Sequence, residues 1–171
     1  MIKPELKDFP EFYRRYIAEV IETDILKYFT EQKTNVISFF SKFDETKALY
    51  KYQADKWSIK EILGHICDAE RIFTIRALQF ARGETQQLPG FEEDDYVANA
   101  NFNDLPLTQL VDDFRIMRES HISLFNTFND ELWKRKGVAN KTEYSVFSIL
   151  YIMAGHIDHH LKVIEAKYLN K

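Results

Sequence analysis

The residues best suited to chemistry in this sequence are a group of histidines near its C-terminal end. Three of the five histidines of the chain lie in one short stretch, at His156, His159 and His160. His156 and His160 are four residues apart, so in a helix they lie about one turn apart on the same face. Two imidazoles at this spacing can bind one metal ion, as they do in helical zinc sites. His159 is a rival ligand at i+3, but we interpret it as a residue at the rim of the site.

A third imidazole can come from His65, in a separate helical segment. His65 follows Gly64, as His156 follows Gly155, and each glycine leaves room for a neighbouring helix or a ligand. Three neutral imidazoles suit zinc, nickel, cobalt, copper or iron(II) rather than magnesium or calcium, and of these we expect zinc or nickel. A site with three protein ligands leaves coordination positions open, which is typical of catalytic sites. The alternative is that these histidines are ordinary interface or surface residues.

Three further residues have both a chemical and a structural interpretation. Asp68, one turn after His65, could orient a ligand histidine or act as a base, but a solvent-facing helix charge explains it equally well. His121 lies on an apolar stripe, which favours a core histidine hydrogen-bonded to a neighbour over a fourth ligand. Cys67 is the only cysteine and lies roughly opposite His65 around the helix, so we interpret it as a buried apolar residue.

Helical periodicity along most of the chain supplies the elements that position these residues. Ser58 and Glu61 form a capping box that starts the second long helix, and Gly83 is suited to end it. The pattern predicts a short helix at residues 10–21 and long helices at about 23–43, 58–82, 106–128 and 145–168. We therefore predict an all-α fold, a four-helix bundle in one domain over residues 1–171. Residues 84–105 form a long acidic crossover between helices two and three, and such crossovers are often functional.

Charge and hydropathy exclude several classes of protein. The net charge is −4 and no basic stripe is present, so nucleic-acid binding is not expected. No apolar run approaches the roughly 18 residues that span a bilayer, so we expect no membrane insertion. The N-terminal residues lack the apolar core of a signal peptide, and a single cysteine suits a reducing compartment. These features favour a cytoplasmic protein.

Five segments together resemble the DinB-like (DinB/YfiT) superfamily of metalloproteins. They are KWSIKEILGH at 56–65, DAERIF at 68–73, RALQFARG at 76–83, PGFEEDDY at 89–96 and AGHIDHH at 154–160. The resemblance implies an up-down-down-up four-helix bundle that binds a metal ion through one histidine of the second helix and two of the fourth. Those positions are His65, His156 and His160 here. The resemblance also implies a homodimer.

The resemblance leaves the reaction open. Similar proteins include S-transferases that use bacillithiol, mycothiol or glutathione, a thiol-dependent isomerase, and proteins assigned as metal-dependent hydrolases. Our first hypothesis is a bacillithiol-type S-transferase for small electrophiles, in which the metal holds the thiol as thiolate. Arg76 and Arg82 could then bind carboxylates of the thiol, although ion pairs within the protein would also explain them.

The second hypothesis is a hydrolase, in which the metal activates a water molecule. In that case Asp94, Asp95 and Tyr96 of the crossover could close over the mouth of the site, although a solvated acidic loop is the simpler interpretation. The third hypothesis is a metal-binding protein without catalytic activity.

Overall fold

The computed structural model describes residues 5, 9–18, 20 and 24–169. Within these residues the helices, in chain order, are α1 (Glu11–Ile17), α2 (Ile25–Phe40), α3 (Glu45–Ala48), α4 (Ile59–Ala81), α5 (Glu93–Ala100), α6 (Leu107–Phe125), α7 (Asp130–Lys134) and α8 (Val146–Ile164). Two strands, β1 (Lys136–Ala139) and β2 (Thr142–Ser145), pair antiparallel between α7 and α8. A 3₁₀ turn covers Phe102–Asp104, and a π-helical turn, Glu165–Leu169, extends α8. None of the described helices is long and apolar enough to cross a membrane.

The long helices α2, α4, α6 and α8 form a four-helix bundle in which α4 and α2 each pack against α6 and α8. Contacts at one end establish the direction of each helix. Glu45, just after α2, forms an ion pair with Lys60 near the start of α4 (2.6 Å) and accepts a hydrogen bond from the backbone N–H of Leu107 at the start of α6 (2.8 Å). Lys47 donates to the carbonyl of Tyr168, beyond the end of α8. Helices α4 and α6 therefore run parallel to each other and opposite to α2 and α8.

This arrangement confirms the predicted all-α four-helix bundle and its up-down-down-up order. The short helix predicted at 10–21 corresponds to α1, and the first long helix to α2, whose first turn is capped by the Asp24 carboxylate. Residues 21 and 23, at which these two predictions placed helix ends, lie outside the described residues. The predicted third helix extends to residue 128, whereas α6 ends at Phe125.

Capping residues set the ends of the two helices that carry the site. Ser58 accepts a hydrogen bond from the backbone N–H of Glu61 (3.1 Å), and the Glu61 carboxylate accepts one from the backbone N–H of Ser58 (2.6 Å). This capping box confirms the predicted start of α4. The helix ends before Gly83, whose φ of 89° is accessible to glycine at little cost. Ser145 caps α8 in the same way, by accepting from the N–H of Ser148.

The sequence did not predict the hairpin of β1 and β2 or the helix α5 within the crossover. Asn140 and Lys141 at the hairpin turn have φ of 47° and 61°, as in a primed two-residue turn. The usual signature of that turn is Asn-Gly, so Asn-Lys conceals it. Leu88 of the crossover donates to the carbonyl of Val138 and accepts from the N–H of Asn140 (2.9 and 3.0 Å). The hairpin thus holds the crossover in place as it returns along the bundle.

A buried hydrogen-bonded network connects all four long helices. Asp158 of α8 accepts from Tyr28 and Gln32 of α2, both at 2.7 Å. Arg118 of α6 donates to Gln32 (3.1 Å) and to Glu70 of α4 (2.5 Å). Arg118 is 0% exposed, and its charge is neutralised by the equally buried Glu70. Because buried charges require partners, this network specifies how the helices fit together.

Candidate metal centre

Three histidine side chains converge between α4 and α8. Nε2 of His65 lies 3.1 Å from Nε2 of His156, which lies 3.0 Å from Nε2 of His160. The three candidate ligand atoms all lie within 4.8 Å of one another. Nitrogens bound at about 2.0–2.1 Å to a tetrahedral metal would be roughly 3.3–3.4 Å apart. Two of the three nitrogen separations are close to that value and the third is within 4.8 Å, so this donor set fits a single transition-metal ion, with α4 supplying one ligand and α8 two.

Burial keeps these histidines neutral. His65 is 2% exposed, and burial lowers its pKa to about 4. The pKa of His156 is well below its usual value because of burial and the neighbouring His160 and His65. The pKa of His160 is lowered in the same way by burial and by His65. A neutral imidazole has one unprotonated ring nitrogen, so all three side chains are able to ligate a metal at neutral pH.

Aromatic packing restricts the orientation of the histidine rings. Trp57, just before α4, lies with its ring centroid 4.6 Å from that of His65 and 6.5 Å from that of His160, nearly parallel to the second. Both distances place the indole against the triad. Trp57 therefore shields one side of the triad and limits the movement of two of its rings.

Two glycines allow close packing beside the histidines, in line with the room predicted next to them. A Cβ on Gly155 would lie 2.3 Å from the backbone oxygen of Tyr16, so α1 packs directly against α8. A Cβ on Gly64 would lie 2.4 Å from the ring of Phe102 in the 3₁₀ turn. The Tyr16 ring is 6.3 Å from that of His156. The glycines thus bring α1 and the end of the crossover close to the triad.

One cavity beside the triad, which we call the arginine cavity, has a volume of about 240 Å³. Its polar lining comes from Arg76 of α4, Glu93 of α5 and the three α8 histidines His156, His159 and His160. Aromatic side chains form much of the remaining wall: Phe12, Tyr13, Tyr16, Phe73, Phe91 and Tyr144. The arginine cavity is therefore an aromatic-walled space that contains a cation, a carboxylate and metal-ligand candidates.

A second cavity, which we call the tryptophan cavity, has a volume of about 380 Å³. It is lined by Trp57, Lys56, Asp94, His159 and His160, among others. His159 and His160 thus border both cavities, whereas His156 borders only the arginine cavity and His65 lines neither.

Glu93 is a site residue that the sequence analysis did not identify. One of its carboxylate oxygens lies 4.0 Å from Nε2 of His65. The Glu93 side chain is 61% exposed, and its pKa is raised by partial burial and by the nearby charges of Asp94 and Glu92. The sequence shows an acidic run, but only the register of α5 and the anchoring of the crossover decide which carboxylate faces the triad.

The three crossover residues predicted to close over the site, Asp94, Asp95 and Tyr96, differ in whether they line a cavity. Asp94 lines the tryptophan cavity. Asp95 is exposed, and Tyr96 is 47% exposed with its ring against Phe91 (5.3 Å between centroids). Phe91 lines the arginine cavity, so Tyr96 contacts a residue of the cavity wall but does not line the cavity itself. Of the three predicted mouth residues, only Asp94 borders a cavity.

The two predicted substrate-binding arginines are also separated. Arg76 is 5% exposed, lines the arginine cavity and donates to the carbonyl of Pro89 (2.9 Å). Arg82 lies at the end of α4 with its guanidinium 5.4 Å from the ring centroid of Phe128, and it lines neither cavity. Only Arg76 is brought together with the triad.

The remaining candidates take structural positions. Asp68 lies 3.6 Å from Arg71 and lines neither cavity, so the structure does not bring it to the metal ligands. His121 contacts the carboxylate of Glu70 through Nδ1 (3.0 Å), as predicted for a core histidine. Cys67 is buried, and burial raises the pKa of its thiol, as expected for an apolar packing residue.

The profile of the DinB superfamily matches residues 28–164, and the chain belongs to that superfamily. This confirms the resemblance found in the sequence motifs. No curated protein matches the sequence significantly.

Two solved structures have similar folds. YfiT from Bacillus subtilis, described as a probable metal-dependent hydrolase with an unusual four-helix bundle topology, is 14% identical with a TM-score of 0.75. The alignment covers 96% of this chain and 90% of YfiT. The mycothiol-dependent maleylpyruvate isomerase is 10% identical with a TM-score of 0.68, over 94% of this chain and 62% of the isomerase. At these identities the likeness establishes the fold alone.

Proposed function

We propose that this protein is a metal-dependent S-transferase that joins a low-molecular-weight thiol to a small electrophile. The observation that carries the proposal is that His160 of the triad, together with the neighbouring His159, borders both cavities. A transferase must bind two molecules in contact with one reacting centre, whereas a hydrolase needs only one substrate and water. The two-cavity arrangement therefore favours transfer.

His65, His156 and His160 would hold a zinc or nickel ion. When bound there, such an ion lowers the pKa of a thiol or a water molecule and so supplies a nucleophile at neutral pH. The three imidazoles are neutral and would add no negative charge next to it. Trp57 keeps two of the imidazoles in position, which reduces the reorganisation that ligand binding requires.

Two residues of the arginine cavity supply the base and the anion-binding group of the proposed reaction. Glu93, 4.0 Å from His65, is close enough to accept the proton that the thiol releases, directly or through one water molecule. Its raised pKa makes it a better base than an ordinary glutamate. Arg76, which lines the same cavity, attracts an anionic group. Arg76 is 5% exposed, and the low local dielectric at a buried side chain strengthens its attraction for an anion.

A second candidate function is hydrolysis, and Glu93 is the observation that favours it. A carboxylate next to the triad with a raised pKa could take a proton from water as readily as from a thiol. The fold likeness to YfiT, described as a probable metal-dependent hydrolase, is compatible with this candidate. The fold likeness to a mycothiol-dependent isomerase is equally compatible with thiol chemistry.

The test is a thiol-dependence assay on protein loaded with zinc or nickel. Monobromobimane serves as the electrophile, with bacillithiol, mycothiol, glutathione or cysteine as the thiol. We expect conjugation above the uncatalysed rate with at least one thiol, lost in His65→Ala and kept in His121→Ala, a histidine variant outside the triad. Absence of thiol-stimulated turnover in fully loaded protein would contradict the transferase. Cleavage of p-nitrophenyl acetate without thiol, lost in His65→Ala, would establish the hydrolase instead.

A further inference from the structure

The two buried arginines of the bundle differ in how their charge is compensated. Arg118, fully buried, contacts the carboxylate of Glu70. Arg76 is almost as buried, yet no carboxylate of the described residues lies within ion-pair distance of it. Burying a guanidinium without an anion is costly, so such a residue needs another source of compensation.

The contacts of Arg76 satisfy only part of its hydrogen-bonding capacity. One nitrogen donates to the carbonyl of Pro89, and the guanidinium lies 5.4 Å and 5.9 Å from the ring centroids of Phe73 and Phe91. A guanidinium carries five N–H donors in a planar fork. The residue lines the arginine cavity, where its other donors are accessible to a ligand. The two aromatic rings fix the plane of the fork.

We propose that the arginine cavity is a carboxylate subsite, in which Arg76 binds the carboxylate of the thiol or electrophile while the reacting end of that molecule lies at the histidine triad. A planar carboxylate matches the guanidinium fork with two parallel hydrogen bonds. Asn140 lines the same cavity and offers an amide donor. The inference rests on the proposed function in one respect, since it places the reacting end at the triad.

The charge of the cavity favours a carboxylate over a phosphate. Glu93 lines the same space, and no second cation from the described residues lines it. A doubly charged phosphate at Arg76 would be only half neutralised by that side chain, because the metal ion of the proposed function would bind the reacting end of the ligand at the triad. A volume of about 240 Å³ also limits the ligand to a small molecule.

Binding to cobalt-substituted protein, followed by its visible spectrum, tests the inference. The probes are mercaptocarboxylic acids with two to five carbons, each paired with its uncharged methyl ester. Since a charge-assisted hydrogen bond contributes more than a neutral one, at least one acid should bind about tenfold or more tightly than its ester. The preference should fall to about twofold or less in Arg76→Gln, be intermediate in Arg76→Lys, and persist in Arg115→Gln, a surface control.

A second measurement separates this inference from the proposed function. Glutarate is titrated into metal-free protein by calorimetry, and its heat of binding should disappear in Arg76→Gln but not in Arg115→Gln. If wild-type protein binds no cobalt, the proposed function fails while glutarate still tests the subsite. Equal binding of every acid and ester, or an acid preference that survives Arg76→Gln, would overturn the carboxylate subsite. Thermal unfolding of Arg76→Gln should show stability at or above wild type, because the variant removes an uncompensated buried charge.

Discussion

The carboxylate of Glu93 lies 4.0 Å from Nε2 of His65. The two residues belong to separate helices, since His65 is in α4 and Glu93 is in α5 of the crossover. This proximity depends on the hairpin, because Leu88 hydrogen-bonds to both Val138 and Asn140 just before the crossover reaches the triad. A carboxylate next to the histidine triad therefore comes from the segment that the sequence marks only as acidic.

Replacing Glu93 with glutamine should lower kcat for thiol transfer by about 10²-fold, the lower range for loss of a general base. Metal content should be unchanged, because the side chain is beside the ligand set rather than within it. The measurement is the pH–rate profile of the zinc-loaded variant together with its zinc content. Glu92→Gln, an exposed carboxylate of the same segment, is the control and should behave as wild type. Loss of zinc from Glu93→Gln would show instead that Glu93 is a ligand.

Substituting alanine for Gly155 should destabilise the protein by about 1–3 kcal/mol, the usual cost of overpacking. The new Cβ would meet backbone atoms of Tyr16, so α1 would have to move. Gly64→Ala is the comparison, because its Cβ would meet the ring of Phe102, a side chain that can rotate away. Urea unfolding should show a larger loss for Gly155→Ala than for Gly64→Ala. The reverse order would mean that α1 contributes little to the bundle.

Removing the carboxylate in Glu70→Ala should cost about 3–5 kcal/mol, since it leaves the Arg118 charge buried without an anion. The double variant Glu70→Ala, Arg118→Met should recover much of that loss. Glu119→Ala, which breaks exposed pairs with Lys33 and Arg115, should leave the free energy of unfolding close to that of wild type. Equilibrium unfolding in urea measures all three. Equal losses for Glu70→Ala and Glu119→Ala would exclude a special role for the buried pair.

Metal-free protein should lose stability as the pH falls from 6.5 toward 4. Burial lowers the pKa of His65 from 6.5 to about 4, so in this window the unfolded chain binds a proton that the folded chain does not. The pKa values of His156 and His160 are also lowered, so these residues add to the loss of stability as the pH falls. The free energy of unfolding should therefore be constant above pH 7 and decrease below it, with a shallower slope in His65→Gln. A stability that is flat or increasing toward pH 5 would contradict this assignment.

The bundle and the triad were predictable because their signals are local. Helical periodicity and the Ser58–Glu61 capping box define α4, and the spacing of His156 and His160 places both on one face of α8. The contribution of Glu93 was not predictable, because it depends on an unmarked hairpin turn at Asn140. The difference in burial between Arg76 and Arg82 was not predictable from the sequence either. Both lie on or next to the same helix, and only tertiary packing decides that Arg76 is buried in the cavity while Arg82 contacts Phe128.

The central claim is that His65, His156 and His160 hold one metal ion, and metal content tests it most directly. The measurement is elemental analysis of untagged protein, as purified and after reloading with zinc or nickel, in wild type, His65→Ala, His156→Ala and the control His121→Ala. We predict about one transition-metal ion per chain in wild type and His121→Ala, and its loss in the two triad variants. Wild-type protein that binds neither zinc nor nickel after reloading, or triad variants that retain the full metal content, would contradict the account.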